Sequence, residues 1–186
     1  MRLDLIDNDF PVWEVTGFHV PQYLFTGDDT YDQGYESDTV HLRKQSKPGI
    51  DKLDFCDAWD AHTTILEKYI QGDISNIEEV RQMWMKSLSK FRMPKFKDIG
   101  VVIQDGEGFD MSPHIDNRHV FGVLIINLQD NPQGSGTRFL ELGYEGPVLK
   151  GTGVFMLNNW NTTHAITNPG PGSRLIGYQI LHNDMI

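Results

Sequence analysis

From Gly100 onward the chain breaks into short apolar runs, GVVIQD, VFGVLIINL, TRFLEL, GVFMLNN and RLIGYQIL, separated by Gly, Pro, Asn or Asp. Each is rich in β-branched and aromatic residues and too short for a helix, so each reads as a strand. Strands at this density with no helical pattern between them predict a sandwich or barrel rather than an alternating α/β sheet. The expected fold is therefore mainly β with some α: a jelly roll (a double-stranded β-helix of the cupin kind) over about residues 100–182, buttressed by two helices from the preceding part, about residues 1–99. The whole chain of 186 residues is expected to make a single domain.

The two helices are read from periodicity. Phe55, Trp59, His62, Leu66 and Ile70 recur at spacings of three and four and form one packing stripe, on which His62 reads as a packing residue. The second begins at SNIE, where Ser75 can cap and Glu78 can reach back, carries Ile77, Val80, Trp84, Leu88 and Phe91 on one face, and ends by Pro94. Earlier, VWEVTGFHV is strand-like. The polar stretch Thr26 to Thr39 has no period and reads as a long loop, either a lid or a plain connection.

Charge and cysteine narrow the function classes. A formal net charge of -10 gives no general attraction to nucleic acid or an anionic membrane. The basic runs LRKQSK (Leu42 to Lys47) and KFRMPKFK (Lys90 to Lys97) read as solvated charge. There is no apolar signal core near Met1 and no run of about 18 apolar residues, so a cytoplasmic protein without membrane association is expected. Cys56 is the sole cysteine, which rules out a thiolate cluster. A bound metal would need nitrogen and oxygen ligands, which suits iron, manganese or zinc.

Such ligands occur in MSPHIDNRH, where His114 and Asp116 stand two apart. In an extended segment both point to one face while Ile115 points away. An H-x-D by itself reads as a surface turn or a satisfied polar pair. A third ligand, however, is on offer at His164 in NNWNTTHAITN, and two imidazoles with one carboxylate make the facial set of non-haem Fe(II) oxygenases. Ten residues on, Arg174 opens a strand whose alternate members Ile176, Tyr178 and Ile180 share its face. Facing inward, its guanidinium needs an anion, and no acidic neighbour in the sequence is an obvious partner; facing outward, it is merely solvated.

These motifs, in the order His114-x-Asp116, SGTRF (Ser135 to Phe139), a Gly-bounded turn before VFMLNN, then His164 with Arg174 ten further on, resemble the 2-oxoglutarate/Fe(II)-dependent dioxygenases, and among them the prolyl 4-hydroxylase-like branch. The resemblance covers about Gly100 to Leu181. It implies that His114, Asp116 and His164 hold Fe(II) and that Arg174 pairs with the distal carboxylate of 2-oxoglutarate. By position, Asn127 stands where relatives place a further donor to that carboxylate, Gln104 where many place a tyrosine at the cosubstrate, and Thr137 at a threonine lining the pocket. The implied activity is hydroxylation of a C–H bond at the expense of O2 and 2-oxoglutarate, on a peptidyl residue or a small molecule, with nucleic acid disfavoured by charge. Trp160 and Asn161 are candidates to face the substrate. Three rival readings stand beside it: a non-catalytic metal- or ligand-binding β-sandwich, a nucleobase-directed oxygenase of the same superfamily, and a zinc hydrolase.

Overall fold

The strand Val120–Asn127 is apolar on both sides, and the computed structural model accounts for this by putting it in the interior of a sheet, with Val123 and Ile125 buried on one face and Leu124 and Ile126 on the other. The structure describes residues 2–18, 20, 29–30, 38–45, 100–116, 120–158 and 160–182. Along the chain the strands are β1 (Arg2–Asp7), β2 (Phe10–Thr16), β3 (Asp29–Thr30), β4 (Arg43–Gln45), β5 (Gly100–Asp105) and β6 (Phe109–His114). They continue as β7 (Val120–Asn127), β8 (Thr137–Phe139), β9 (Tyr144–Glu145), β10 (Gly153–Leu157), β11 (His164–Asn168) and β12 (Arg174–His182). Short 3₁₀ turns at Val40–Leu42 and Trp160–Thr162 lead into β4 and β11. Both expected helices, and most of the loop Thr26 to Thr39, lie outside the described residues.

The strands form an eight-stranded sheet in the order β1-β2-β10-β7-β12-β5-β4-β3 and a four-stranded sheet in the order β6-β11-β8-β9. Every pairing is antiparallel. This is the mainly β architecture expected, and it is compatible with a jelly roll. The strand period of two sorts the side chains. Val12, Ile103, Val123, Ile125, Val154, Met156 and Ile176 of the large sheet meet Phe139 of the small one in a continuous core. A second cluster, Phe109, Met111 and Ile166, is covered by Leu42. On the opposite face of the large sheet, Trp13 packs on its register partner Phe155 with ring centroids 5.6 Å apart.

One glycine is dictated by this packing. A Cβ at Gly153 would lie 1.9 Å from the carbonyl oxygen of Ile125, on the strand to which Gly153 is paired through Ile126. Only a residue without a side chain lets β10 approach β7 there. The two sheets meet the site end together. Antiparallel pairing sets His164 at the start of β11 directly opposite His114 at the end of β6, with Phe139 of β8 on its other side.

Candidate metal centre and its buried cationic floor

His114 is the last residue of β6, and Asp116 follows after the strand has ended. The alternation still holds: Ile115 points to solvent at 51% exposure, while Asp116 is 6% exposed. The segment is held by Asn158, whose side-chain amide donates to the carbonyls of Asp116 (3.1 Å) and Val120 (3.0 Å). His164 is delivered by the 3₁₀ turn before it, in which the Thr162 hydroxyl donates to the Leu157 carbonyl at 3.1 Å. One ligand atom from each of His114, Asp116 and His164 can be chosen so that all three lie within 4.8 Å of one another. The two imidazole rings are 4.4 Å apart, and His114 Nε2 is 4.0 Å from Asp116 Oδ1.

Both imidazoles are oriented by the main chain. His114 Nδ1 lies 2.8 Å from the Ser112 carbonyl and His164 Nδ1 3.1 Å from that of Thr162. A carbonyl only accepts, so in the neutral ring the proton sits on Nδ1 and the lone pair on Nε2, available to a metal. The charge states agree. Burial, reinforced by His114 and opposed by the Thr162 carbonyl, pulls the His164 pKa down to about 4, so its ring is neutral at physiological pH. Burial raises the Asp116 carboxyl above its ordinary value, with His114 acting against the rise. Asp116 Oδ2 is buried with no hydrogen-bond partner among the described residues. A buried orphan acceptor beside two imidazole lone pairs is an arrangement that a divalent cation would relieve.

The cavity bounded by these three residues is also lined by Ile103, Met111, Ile166, Ile176, Tyr178 and Arg43. Arg43 belongs to the run LRKQSK, read above as solvated charge. That reading is corrected: β4 alternates, so Lys44 is exposed while Arg43 is 3% exposed. Its Nε and Nη2 donate to Asp105 Oδ1 and Oδ2 at 2.6 and 2.9 Å, a bidentate pair, and its guanidinium carbon sits 4.3 Å from the centre of the Phe109 ring.

Arg174 faces inward and is 2% exposed. Contrary to expectation it has an acidic partner: Nη1 donates to Asp105 Oδ2 at 3.3 Å, while Nη2 donates to the Thr137 hydroxyl at 3.2 Å. Arg174 Nε is buried without a partner among the described residues. Burial lowers the Arg174 pKa, Asp105 opposes the fall and the Arg43 cation adds to it. Asp105, wholly buried, thus serves two guanidiniums, and the three side chains together carry one net positive charge. The strand end carrying Asp105 is secured by Asn168, whose amide nitrogen reaches the carbonyls of Asp105, Gly106 and Gly172 at 2.9–3.0 Å.

The remaining expected site residues divide. Thr137 is brought to the cluster, but as an acceptor for Arg174. Asn127 directs its amide nitrogen at the carbonyls of Pro147 (2.8 Å) and Thr152 (3.0 Å), so both of its N–H bonds are engaged in bracing the approach to β10. Gln104 is on the far side of β5 from Ile103 and Asp105 and donates to the Ser173 hydroxyl at 3.2 Å, away from the cavity. Asn161 donates to the Asp9 carbonyl at 3.2 Å. Sequence reasoning missed Arg43, Asp105 and Asn158. The one signal for Asp105 was its strand position, two after Ile103 on the inward face.

No family model matches the chain, and no curated protein sequence matches it. Solved structures do. The viral collagen prolyl hydroxylase of Paramecium Bursaria Chlorella virus-1, in its 2OG complex, is 15% identical with a TM-score of 0.42, covering 75% of this chain and 94% of that one. A Pseudomonas putida prolyl-4-hydroxylase is 15% identical with a TM-score of 0.48, covering 75% and 70%. A Trichoplax adhaerens prolyl hydroxylase, in complex with a hypoxia inducible factor oxygen degradation domain peptide fragment, is 12% identical with a TM-score of 0.47, covering 76% and 63%. These three are all prolyl hydroxylases.

Proposed function

We propose that the protein is a 2-oxoglutarate- and Fe(II)-dependent dioxygenase that hydroxylates a substrate C–H bond. The observation that carries this reading is one cavity that combines two oriented imidazoles beside an orphaned carboxylate with the guanidinium of Arg43, part of a buried Arg43–Asp105–Arg174 cluster. A metal site alone has no use for the second feature; a metal site that takes a dicarboxylate does.

His114 Nε2, His164 Nε2 and the Asp116 carboxylate would hold Fe(II). When bound, the metal and 2-oxoglutarate supply oxidising chemistry in which the cosubstrate and O2 become succinate, CO2 and the hydroxyl oxygen of the product. The chain's own work is placement and exclusion. The Ser112 and Thr162 carbonyls fix the imidazole tautomers, Asn158 fixes the Asp116 segment, and the Arg43–Asp105–Arg174 cluster attracts the distal carboxylate. Ile103, Ile166 and Ile176 supply apolar walls to this cavity.

The reading extends to a peptidyl residue, prolyl or similar, as substrate. Ile115 follows His114, and Leu140 follows the Phe139 that faces His164, so two exposed apolar side chains flank the site end of the small sheet and suit an extended chain lying across it. The test is to titrate the anaerobic Fe(II) protein with 2-oxoglutarate. Chelation through the keto and proximal carboxylate oxygens produces a weak visible charge-transfer band; absence of the band removes the proposal.

A further inference from the structure

Among the side chains that line the cavity with His114, Asp116 and His164 is the thioether of Met111. Met111 stands three residues before His114 on β6, a spacing that would send the two to opposite faces of a regular strand. The pairing with β11 shows why both face inward. His114 is opposite His164 and Met111 is opposite Ile166, so three steps of β6 are set against two of β11, and the bulge contains Pro113, which has no N–H to give to a ladder. Ser112 and Pro113 are exposed, whereas Met111 is buried at 5% exposure with Phe109 and Ile166. Its sulfur is the group in this cavity most readily given an oxygen atom: Ile103, Ile166 and Ile176 offer only C–H bonds, and the Tyr178 phenol is oxidised more readily by loss of a single electron. A donor is at hand as well, Arg43 Nη1, 4.0 Å from the sulfur. A thioether accepts weakly from such an N–H, and a sulfoxide oxygen in its place accepts strongly.

Building on the proposed function, we infer that Met111 is a modification site of this protein, the thioether that takes up the oxygen atom when 2-oxoglutarate and O2 are consumed with no substrate seated. The balance needs no further reagent. 2-Oxoglutarate breaks the bond between its proximal carboxyl and keto carbons, releases CO2 and becomes succinate, which keeps one atom of O2; the other atom forms the S–O bond, with two electrons supplied by the sulfur. No proton is gained or lost overall. Methionine sulfoxide is reduced back by dedicated reductases, so Met111 is a renewable acceptor, whereas an oxygen atom inserted into His114 or His164 would end metal binding. Burial makes the site selective. Met111 is shielded from oxidants in bulk water, and so is Met156, which at 0% exposure is packed in the core between the sheets. Only Met111 shares the cavity of the three ligands.

The experiment measures sulfoxide at Met111 and at Met156 by peptide mass spectrometry after two treatments. Protein loaded with Fe(II) is given O2 and 2-oxoglutarate without substrate, and metal-free protein is given hydrogen peroxide. In the first treatment Met111 is expected to be oxidised about tenfold or more over Met156, and to be spared when 2-oxoglutarate is left out. In the second the preference is expected to shrink to about threefold or less, because both residues are buried. A preference for Met111 as large with peroxide as with the loaded protein means that access alone selects it, and overturns the inference. Met111→Leu keeps an apolar side chain of similar volume and removes the sulfur. Its Met156 is expected to stay unoxidised in the first treatment, and oxidation there at the rate of wild-type Met111 also overturns the inference. Succinate formed while Met111 stays unmodified, or the oxygen gained at Tyr178 in its place, overturns the inference and leaves the proposed function standing. Wild-type protein that gives neither succinate nor the charge-transfer band overturns the proposed function, and the inference with it.

Discussion

Replacing Asp105 by Asn changes one buried atom type and should be among the most damaging single substitutions in the protein. Asp105 is wholly buried and accepts from Arg43 at 2.6 and 2.9 Å and from Arg174 at 3.3 Å. An amide keeps one acceptor and turns the other into a donor facing a donor, and it removes the carboxylate charge that the two guanidiniums share. Removing one partner of a buried ion pair costs about 3–5 kcal/mol. At about 2–4 °C per kcal/mol for a chain of this size, the melting temperature should fall by about 6–20 °C. Thermal unfolding followed by circular dichroism, with urea titration for the free energy, reads this directly. The cause is checked by a cycle with Arg43→Gln: because the double variant leaves one guanidinium where D105N leaves two side by side, it should be more stable than the sum of the two single losses by about 1 kcal/mol or more. A D105N protein within about 1 kcal/mol of wild type, or a strictly additive double variant, would refute the reasoning that the cluster is bound by its charges.

Three further outcomes are expected. For metal-free protein, His164 titrates near 4 when folded and near 6.5 when unfolded, so the unfolded chain takes up the proton first as pH falls. The contribution is complete above pH 6.5 and is lost between there and pH 4, amounting to about 3 kcal/mol; urea unfolding at pH 7 and 4.5 should show this loss, and His164→Gln should lack it. An unchanged loss in that variant contradicts the assignment. Gly153→Ala forces a Cβ against the Ile125 carbonyl and should cost about 3 kcal/mol or more, measured by the same unfolding assay; a neutral effect would mean the β7–β10 spacing is wrong. Gln104→Ala, altering a side chain on the far face of β5, should leave 2-oxoglutarate affinity within about twofold of wild type, and a larger loss would move Gln104 back to the cavity.

The parts of this architecture that were legible in the sequence are those governed by local pattern. The runs beginning at Gly100, Val120, Thr137, Gly153 and Arg174 all open strands at those residues, because alternation and β-branching act within a few positions. The pairing of His114 with Asp116 was legible for the same reason, since an extended backbone sends i and i+2 to one side. The sequence was silent where burial depends on a distant partner. Arg43 sits in a run with two lysines, and nothing local distinguishes it from them; it is buried because Asp105, 62 positions on, meets it across adjacent strands. Asp105 was overlooked as the partner of Arg174 because the two are 69 positions apart and meet only through the pairing of β5 with β12. Gln104 and Asn127 were placed by family position. The amide of Asn127 is engaged with two backbone carbonyls and that of Gln104 lies on the outer face of its strand.

The central claim is that His114, Asp116 and His164 converge on a single exchangeable metal ion. Anaerobic equilibrium dialysis against Fe(II), with the bound metal counted per chain, tests it most directly. Wild-type protein should bind one equivalent, and His114→Ala, Asp116→Ala and His164→Ala should each lose it while remaining folded. Retention of the full equivalent by any one of these variants, or none in the wild type, would contradict the account.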